Sequence, residues 1–135
     1  PCIMASELKV NKLTGVTTAG SISVTGEGNS TTTNLQQGLC KAWVSADDGA
    51  TKNDSFNVGT STDHGTGDYS HALTNPFSNA NYCQTNTSKA NVGAGRMQGQ
   101  SEDRATASLI ATFMENASGT LVGEAHSIMV TGDLA

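Results

Sequence analysis

The sequence predicts an all-β fold, an antiparallel β-sandwich of jelly-roll-like type with an extended N-terminal arm. Three observations carry this. Ser, Thr, Asn and Gly make up roughly four residues in ten of the 135, a mix that competes with helix hydrogen bonds and favours turns. Apolar residues recur with period two in short runs. Gly-, Asn- and Asp-bearing turns separate those runs at the spacing of a sandwich. The length is that of one domain, and only 36% of the residues are hydrophobic and 14% charged.

Taken in order, residues 1–38 read as an arm and linker. Met4-Ala5-Ser6 reads as a natural start, with no charged and apolar leader ahead of it. Leu8, Val10 and Leu13 alternate, and Ile22 and Val24 repeat the pattern. The polar stretch from Gly26 to Asn34 reads as a flexible linker. Runs this short bury no core alone, so the arm is expected to pair with a sister chain or a larger particle.

Residues 39–135 read as the folded domain. Leu39 to Val44 is a strand carrying the one Trp, and Asp47-Asp48-Gly49 is a turn. Ser55 to Val58 is a strand that places Phe56 and Val58 on one face. Asp63 to Asp68 is the loop of a hairpin whose return strand starts at Tyr69. Asn75-Pro76 forces an extended residue before a turn. Tyr82 to Thr87 is a strand, and Lys89 to Gln100, with three glycines, a long loop. In Ala105 to Met114 the alternation of Ala105, Ala107, Leu109, Ala111 and Phe113 outweighs a helical reading. Asn116 to Gly119 is then a hairpin turn and Thr120 to Val130 the return strand. The expected core is Trp43, Phe56, Val58, Tyr69, Leu109, Phe113 and Val130.

The chemistry-bearing residues are sparse. His64 between Asp63 and Asp68 could be a carboxylate-oriented histidine, but Asp, His and Gly are ordinary turn residues. Asp47-Asp48 and Asp63/Asp68 could pair carboxylates as glycoside hydrolysis requires; loop carboxylates in an acidic chain are the plainer reading. His64, His71 and His126 lack metal-ligand spacing, and Asp63/Asp68 falls short of a calcium loop. No catalytic, cofactor or metal residue is therefore expected. Cys2, Cys40 and Cys83 form an odd set without a CxxC pair and read as free buried thiols; Cys40 and Cys83 could pair if their strands adjoin. Sequons at Asn29, Asn53, Asn86 and Asn116 are what so many Ser and Thr supply by chance. Seven Lys and Arg against twelve Asp and Glu, with no basic cluster, argue against nucleic acid. No apolar stretch is long enough to span a bilayer. Aromatic residues are 4% of the chain, few for a stacking platform.

Several words, in order and at matching spacing, resemble a family of tail-fibre and virion-knob proteins of marine and cyanobacterial phages. They are Lys41-Ala42-Trp43-Val44, Asp54-Ser55-Phe56-Asn57-Val58, Asp63-His64-Gly65-Thr66-Gly67-Asp68-Tyr69 and Asn79-Ala80-Asn81-Tyr82. The opening from Met4 to Asn11 and the ending Gly132-Asp133-Leu134-Ala135 extend the likeness over nearly the whole chain. Departures are the acidic stretch from Ser45, Asn53 where an Arg is usual and His64 where Asn is usual; residues 89–104 match nothing in the family. The resemblance implies a non-enzymatic virion protein without cofactor, a homotrimeric knob assembled in the host cytoplasm. Its arm would attach to other virion proteins, and its loops, such as Asp63 to Asp68 and Lys89 to Gln100, would face a host-surface glycan or protein. A head decoration protein or head fibre, docked on the capsid lattice, is the alternative, and a glycan depolymerase a second one.

Overall fold

The computed structural model describes residues 8–15, 22–26, 31–88, 96–99, 105–115 and 120–132. The chain divides into two compact units, Pro1–Gln36 and Gln37–Ala135.

The first unit holds a two-stranded antiparallel hairpin. Strand β1 (Ser23–Thr25) pairs with β2 (Thr32–Asn34), Val24 opposite Thr33. Gly26 N–H donates to Thr31 C=O at 2.8 Å and Leu35 N–H to Ile22 C=O at 2.9 Å, closing both ends of the ladder. The stretch expected to be a featureless linker thus supplies β1's partner, because Thr suits a pleated strand as well as a polar tether. A single helical turn, α1 (Leu35–Gly38), follows.

The second unit is all antiparallel β. Its strands are β3 (Cys40–Ala46), β4 (Lys52–Phe56), β5 (Val58–Gly65), β6 (Asp68–Leu73), β7 (Cys83–Ser88), β8 (Arg96–Gly99), β9 (Ser108–Glu115) and β10 (His126–Thr131). They form two four-stranded sheets, β4-β3-β10-β7 and β5-β6-β9-β8. Alternation decides what each sheet buries: Ala42, Val44 and Ala46 on β3, Tyr69, His71 and Leu73 on β6, His126, Ile128 and Val130 on β10. Together with Val58, Leu109, Phe77 and Tyr82 the apolar members form one buried cluster drawn from both sheets. The Phe77 and Tyr82 rings stack with centroids 4.7 Å apart, and Tyr82 OH donates to Ser108 C=O at 3.0 Å.

Four expectations are corrected. Phe56 and Val58 do not share a face. Asn57, at φ 58°, breaks the run and sends the chain from one sheet to the other. Phe56 is left 53% exposed while Val58 is buried. The Asn57 side chain holds this crossover: Nδ2 donates to the Lys41 and Asn75 carbonyls at 3.1 and 3.0 Å, and Oδ1 accepts from Asn75 N–H at 2.7 Å. Trp43 lies opposite Phe56 and is half-buried rather than core. Residues 96–99 of the expected loop form β8. The stretch after residue 120 does not return against β9. The strand in it, β10, lies between β3 and β7, and β9 lies between β6 and β8. The turn placed at residues 116–119 lies outside the described residues, as does the side chain of Phe113.

Candidate functional site

Two of the three histidines meet inside the second unit. His71 on β6 and His126 on β10 are both buried, and their Nε2 atoms lie 2.8 Å apart. His71 Nδ1 is 2.7 Å from Ser61 Oγ on β5, and His126 Nδ1 is 3.1 Å from the Glu124 carbonyl oxygen. A carbonyl only accepts, so His126 carries its proton on Nδ1 and presents a bare Nε2. His71 must then donate through Nε2–H, and its bare Nδ1 accepts from the Ser61 hydroxyl. The chain runs one way, Ser61 to His71 to His126 to Glu124, with both rings neutral.

The surroundings enforce neutrality. Burial lowers the His71 pKa to about 4, with the neighbouring His126 and the Lys52 ammonium adding to the shift. Burial lowers His126 also, opposed by its bond to Glu124 and by Asp47. Tyr69 stacks on His126 at a centroid distance of 4.7 Å. Its hydroxyl donates to Asp48 C=O at 2.8 Å, and burial raises its pKa.

The order hydroxyl, imidazole, orienting group is that of an activated nucleophile. The chemistry is nonetheless unfavourable. A base whose conjugate acid has a pKa of about 4 takes a proton poorly at neutral pH, and a fully buried ring meets no substrate. What the chain does is join the sheets, since Ser61 and His71 belong to one and His126 to the other.

The remaining polar candidates make local bonds within turns and hairpins. His64 is exposed, its Nε2 2.7 Å from Ser70 Oγ, and Asp63 Oδ1 accepts from Gly65 N–H at 2.9 Å. Asp47 Oδ1 accepts from Gly49 and Thr51 N–H at 3.0 and 2.7 Å, shaping the β3–β4 turn. Among the described residues no group of His, Cys, Asp or Glu is placed to hold a metal ion, and no helix is long and apolar enough to cross a membrane. Cys40 and Cys83 are free, half-buried and exposed rather than buried. Both lie level with Thr131, on opposite sides of β10. Two strand spacings, about 10 Å, separate them, beyond disulfide reach. Cys2 lies outside the described residues.

The outer face of β4-β3-β10-β7 is the feature the sequence reading missed. Register sets Phe56, Trp43, Met129 and Thr85 side by side across its four strands. The next row, Asp54, Ser45, Ser127 and Thr87, is polar. A cleft of about 340 Å³ lies over Trp43, Met129 and Thr85, and one of about 290 Å³ continues it toward Asn53 and Ser88. The two share Ser45, Thr87 and Ser127. The signal available in the sequence was the alternation itself: Ala42, Val44 and Ala46 on one side of β3 put Trp43 on the other.

Comparison with protein-family profiles, with curated proteins and with solved structures finds no match to this chain.

Proposed function

We propose that the chain is a non-enzymatic virion protein, a tail-fibre knob that attaches through its N-terminal arm and presents the second unit for host-surface recognition. One observation carries the reading: Leu8, Val10, Leu13 and Val24 in the first unit are all more than half exposed. The β1–β2 hairpin satisfies its own inner ladder, yet it leaves these side chains in water. Each would gain roughly 1.5–3 kcal/mol on burial, and four exposed large apolar side chains in so short a segment favour its being covered by another chain. In this reading the two four-stranded sheets stack as a β-sandwich. The jelly-roll comparison rests on the strand count alone, because β3–β4, β5–β6 and β8–β9 are local hairpins. The resemblance supplies three as the copy number, with other virion proteins as partners and the host cytoplasm as the place of assembly.

Deleting residues 1–34 tests the proposal. The truncated protein should fold and fail to join particles; unfolding would make the arm part of the core and overturn the anchor. Imaging of labelled particles separates a tail position, one copy set per particle, from a head decoration covering the shell. Turnover of host polysaccharide would replace the reading with that of a depolymerase.

A further inference from the structure

We propose that the outer face of the β4-β3-β10-β7 sheet is a carbohydrate-binding cleft, with a neutral sugar ring stacked on Trp43 and hydrogen-bonded by Ser45, Thr87 and Ser127. This names the ligand class for the recognition half of the proposed function, on which it rests for its biological setting, and moves the contact from the loops to a sheet face.

The shape and chemistry of the face select the occupant. One end of the cleft is apolar, with the half-buried Trp43 beside Met129, and Phe56 extends the shelf on the neighbouring strand. The other end is lined with hydroxyls. Thr85, Thr87 and Ser127 are exposed and Ser45 half-exposed. Among the described residues none of these four hydroxyls hydrogen-bonds another protein group. Each is at once a donor and an acceptor; Ser45 is two residues along β3 from Trp43, Ser127 lies on the adjacent strand, and Thr85 and Thr87 lie one strand further on β7.

A second protein face seated here would cover Trp43 but strand the row of hydroxyls against apolar side chains, at a cost for each one left unpaired. A membrane or nucleic acid would call for cations. Among the described residues the cleft lining contains no charged side chain, and Asp54 beside it repels anions. A neutral sugar presents what the face lacks, a ring of C–H bonds on one side and hydroxyls along its edge. The cleft volumes of about 290 and 340 Å³ are those of a small-ligand site with an apolar floor and a few polar contacts.

Trp43 is the one tryptophan in the chain, so intrinsic tryptophan fluorescence of these 135 residues reads this site alone. Titration with short neutral oligosaccharides of glucose, galactose, mannose and N-acetylglucosamine should give a saturable shift in its emission with at least one of them. Calorimetry should show that affinity falls about tenfold or more in Trp43→Ala, equivalent to one stacked contact. Thr87→Lys, an exposed change on an edge strand, should abolish binding while melting as the wild type does; Ser45→Ala/Ser127→Ala serves the same purpose if that variant does not fold. Three results would overturn the assignment. They are no saturable response to any of these sugars, binding of anionic sugars alone, or a Trp43 emission that follows protein concentration, which would seat a second copy on the face. Particle incorporation of Thr87→Lys keeps the two proposals apart. Incorporation with lost sugar binding supports both, whereas sugar binding by a protein that never joins particles removes only the virion reading.

Discussion

Acidification should weaken this fold, and the buried histidine pair sets the size of the effect. In the unfolded chain His71 titrates near its ordinary 6.5; in the fold its pKa is lowered to about 4. Between those values the unfolded state binds the extra proton, so stability rises with pH. The contribution is complete above pH 6.5 and is lost as pH falls toward 4. By pH 5 the loss is about 2 kcal/mol, and over the whole window about 3 kcal/mol. His126 is shifted the same way and adds to it. The groups that bear on the pair are Lys52 from β4, Asp47 from the β3–β4 turn, and Tyr69 and Ser61 from the facing strands. Lys52 is held beside His71 by donating to the Val58 and Gly59 carbonyls. Mechanistically, a proton on His126 Nε2 puts two N–H groups head to head across 2.8 Å, and one on His71 Nδ1 makes the Ser61 hydroxyl turn from donor to acceptor. Urea denaturation at pH 7.5, 6 and 5 measures the effect, which against a typical stability of about 5–15 kcal/mol is large. His71→Gln should flatten the pH dependence by about one proton while lowering stability at pH 7.5. An unfolding free energy equal at pH 7.5 and pH 5 would refute the reasoning, as would a slope unchanged in both His71→Gln and His126→Gln.

Ile128→Ala, at a fully buried position, should cost roughly 2–5 kcal/mol in denaturant melts. Phe56→Ser, by contrast, should stay within about 0.5 kcal/mol of wild type. Asn57→Ala forces a left-handed backbone at φ 58° on a residue without the crossover hydrogen bonds and should cost about 2–3 kcal/mol; Asn57→Gly, which keeps the backbone, should cost less. Gly132→Ala would place a methyl 2.8 Å from Tyr82 Cβ, and a thermal melt should show about 1–3 kcal/mol lost to overpacking.

What was legible in the sequence was the class of each strand; what was not was which strands meet. Period-two alternation placed Tyr69, Leu109 and Val130 inward, and the Asp-Gly signals located the turns at Asp47 and around Gly65. The Ser55–Val58 run failed because an apolar count along the chain cannot register that Asn57 turns left-handed. One such residue shifts every later side chain to the opposite face. Pairing β10 with β9 failed for another reason. Adjacency in sequence is a sound first guess for antiparallel strands, but β10 exchanges its ladder with β3 and β7, roughly forty to ninety residues away. The histidine pair shows both sides at once. Their alternation with Tyr69 and Leu73, and with Ile128 and Val130, is a signal for inward-facing rings that the expected core did not use, and nothing local joins residues 71 and 126.

A low hydrophobic content shapes this interior as much as it limits it. At 36% hydrophobic residues, and with small Ala42 and Ala46 among the buried residues of β3, the space opposite must be filled by bulk from elsewhere. Tyr69, His71 and His126 supply that bulk as flat rings. Each ring brings polar atoms into the core, and each of those is satisfied: Tyr69 OH by Asp48, His126 by Glu124, His71 by Ser61 and by His126. Satisfied polar groups cost little on burial, whereas a half-satisfied chain would cost more than an apolar core. The single direction of the proton chain therefore matters. Ser61→Ala would leave His71 Nδ1 without its donor and should destabilise the fold by about 1–3 kcal/mol, though it removes only one oxygen. Ser61→Val, equally unable to donate, should be no better, while Ser61→Thr should restore the bond and most of the stability. Loss in Ser61→Thr equal to that in Ser61→Ala would show that packing at this position, not the hydroxyl proton, holds the chain in place.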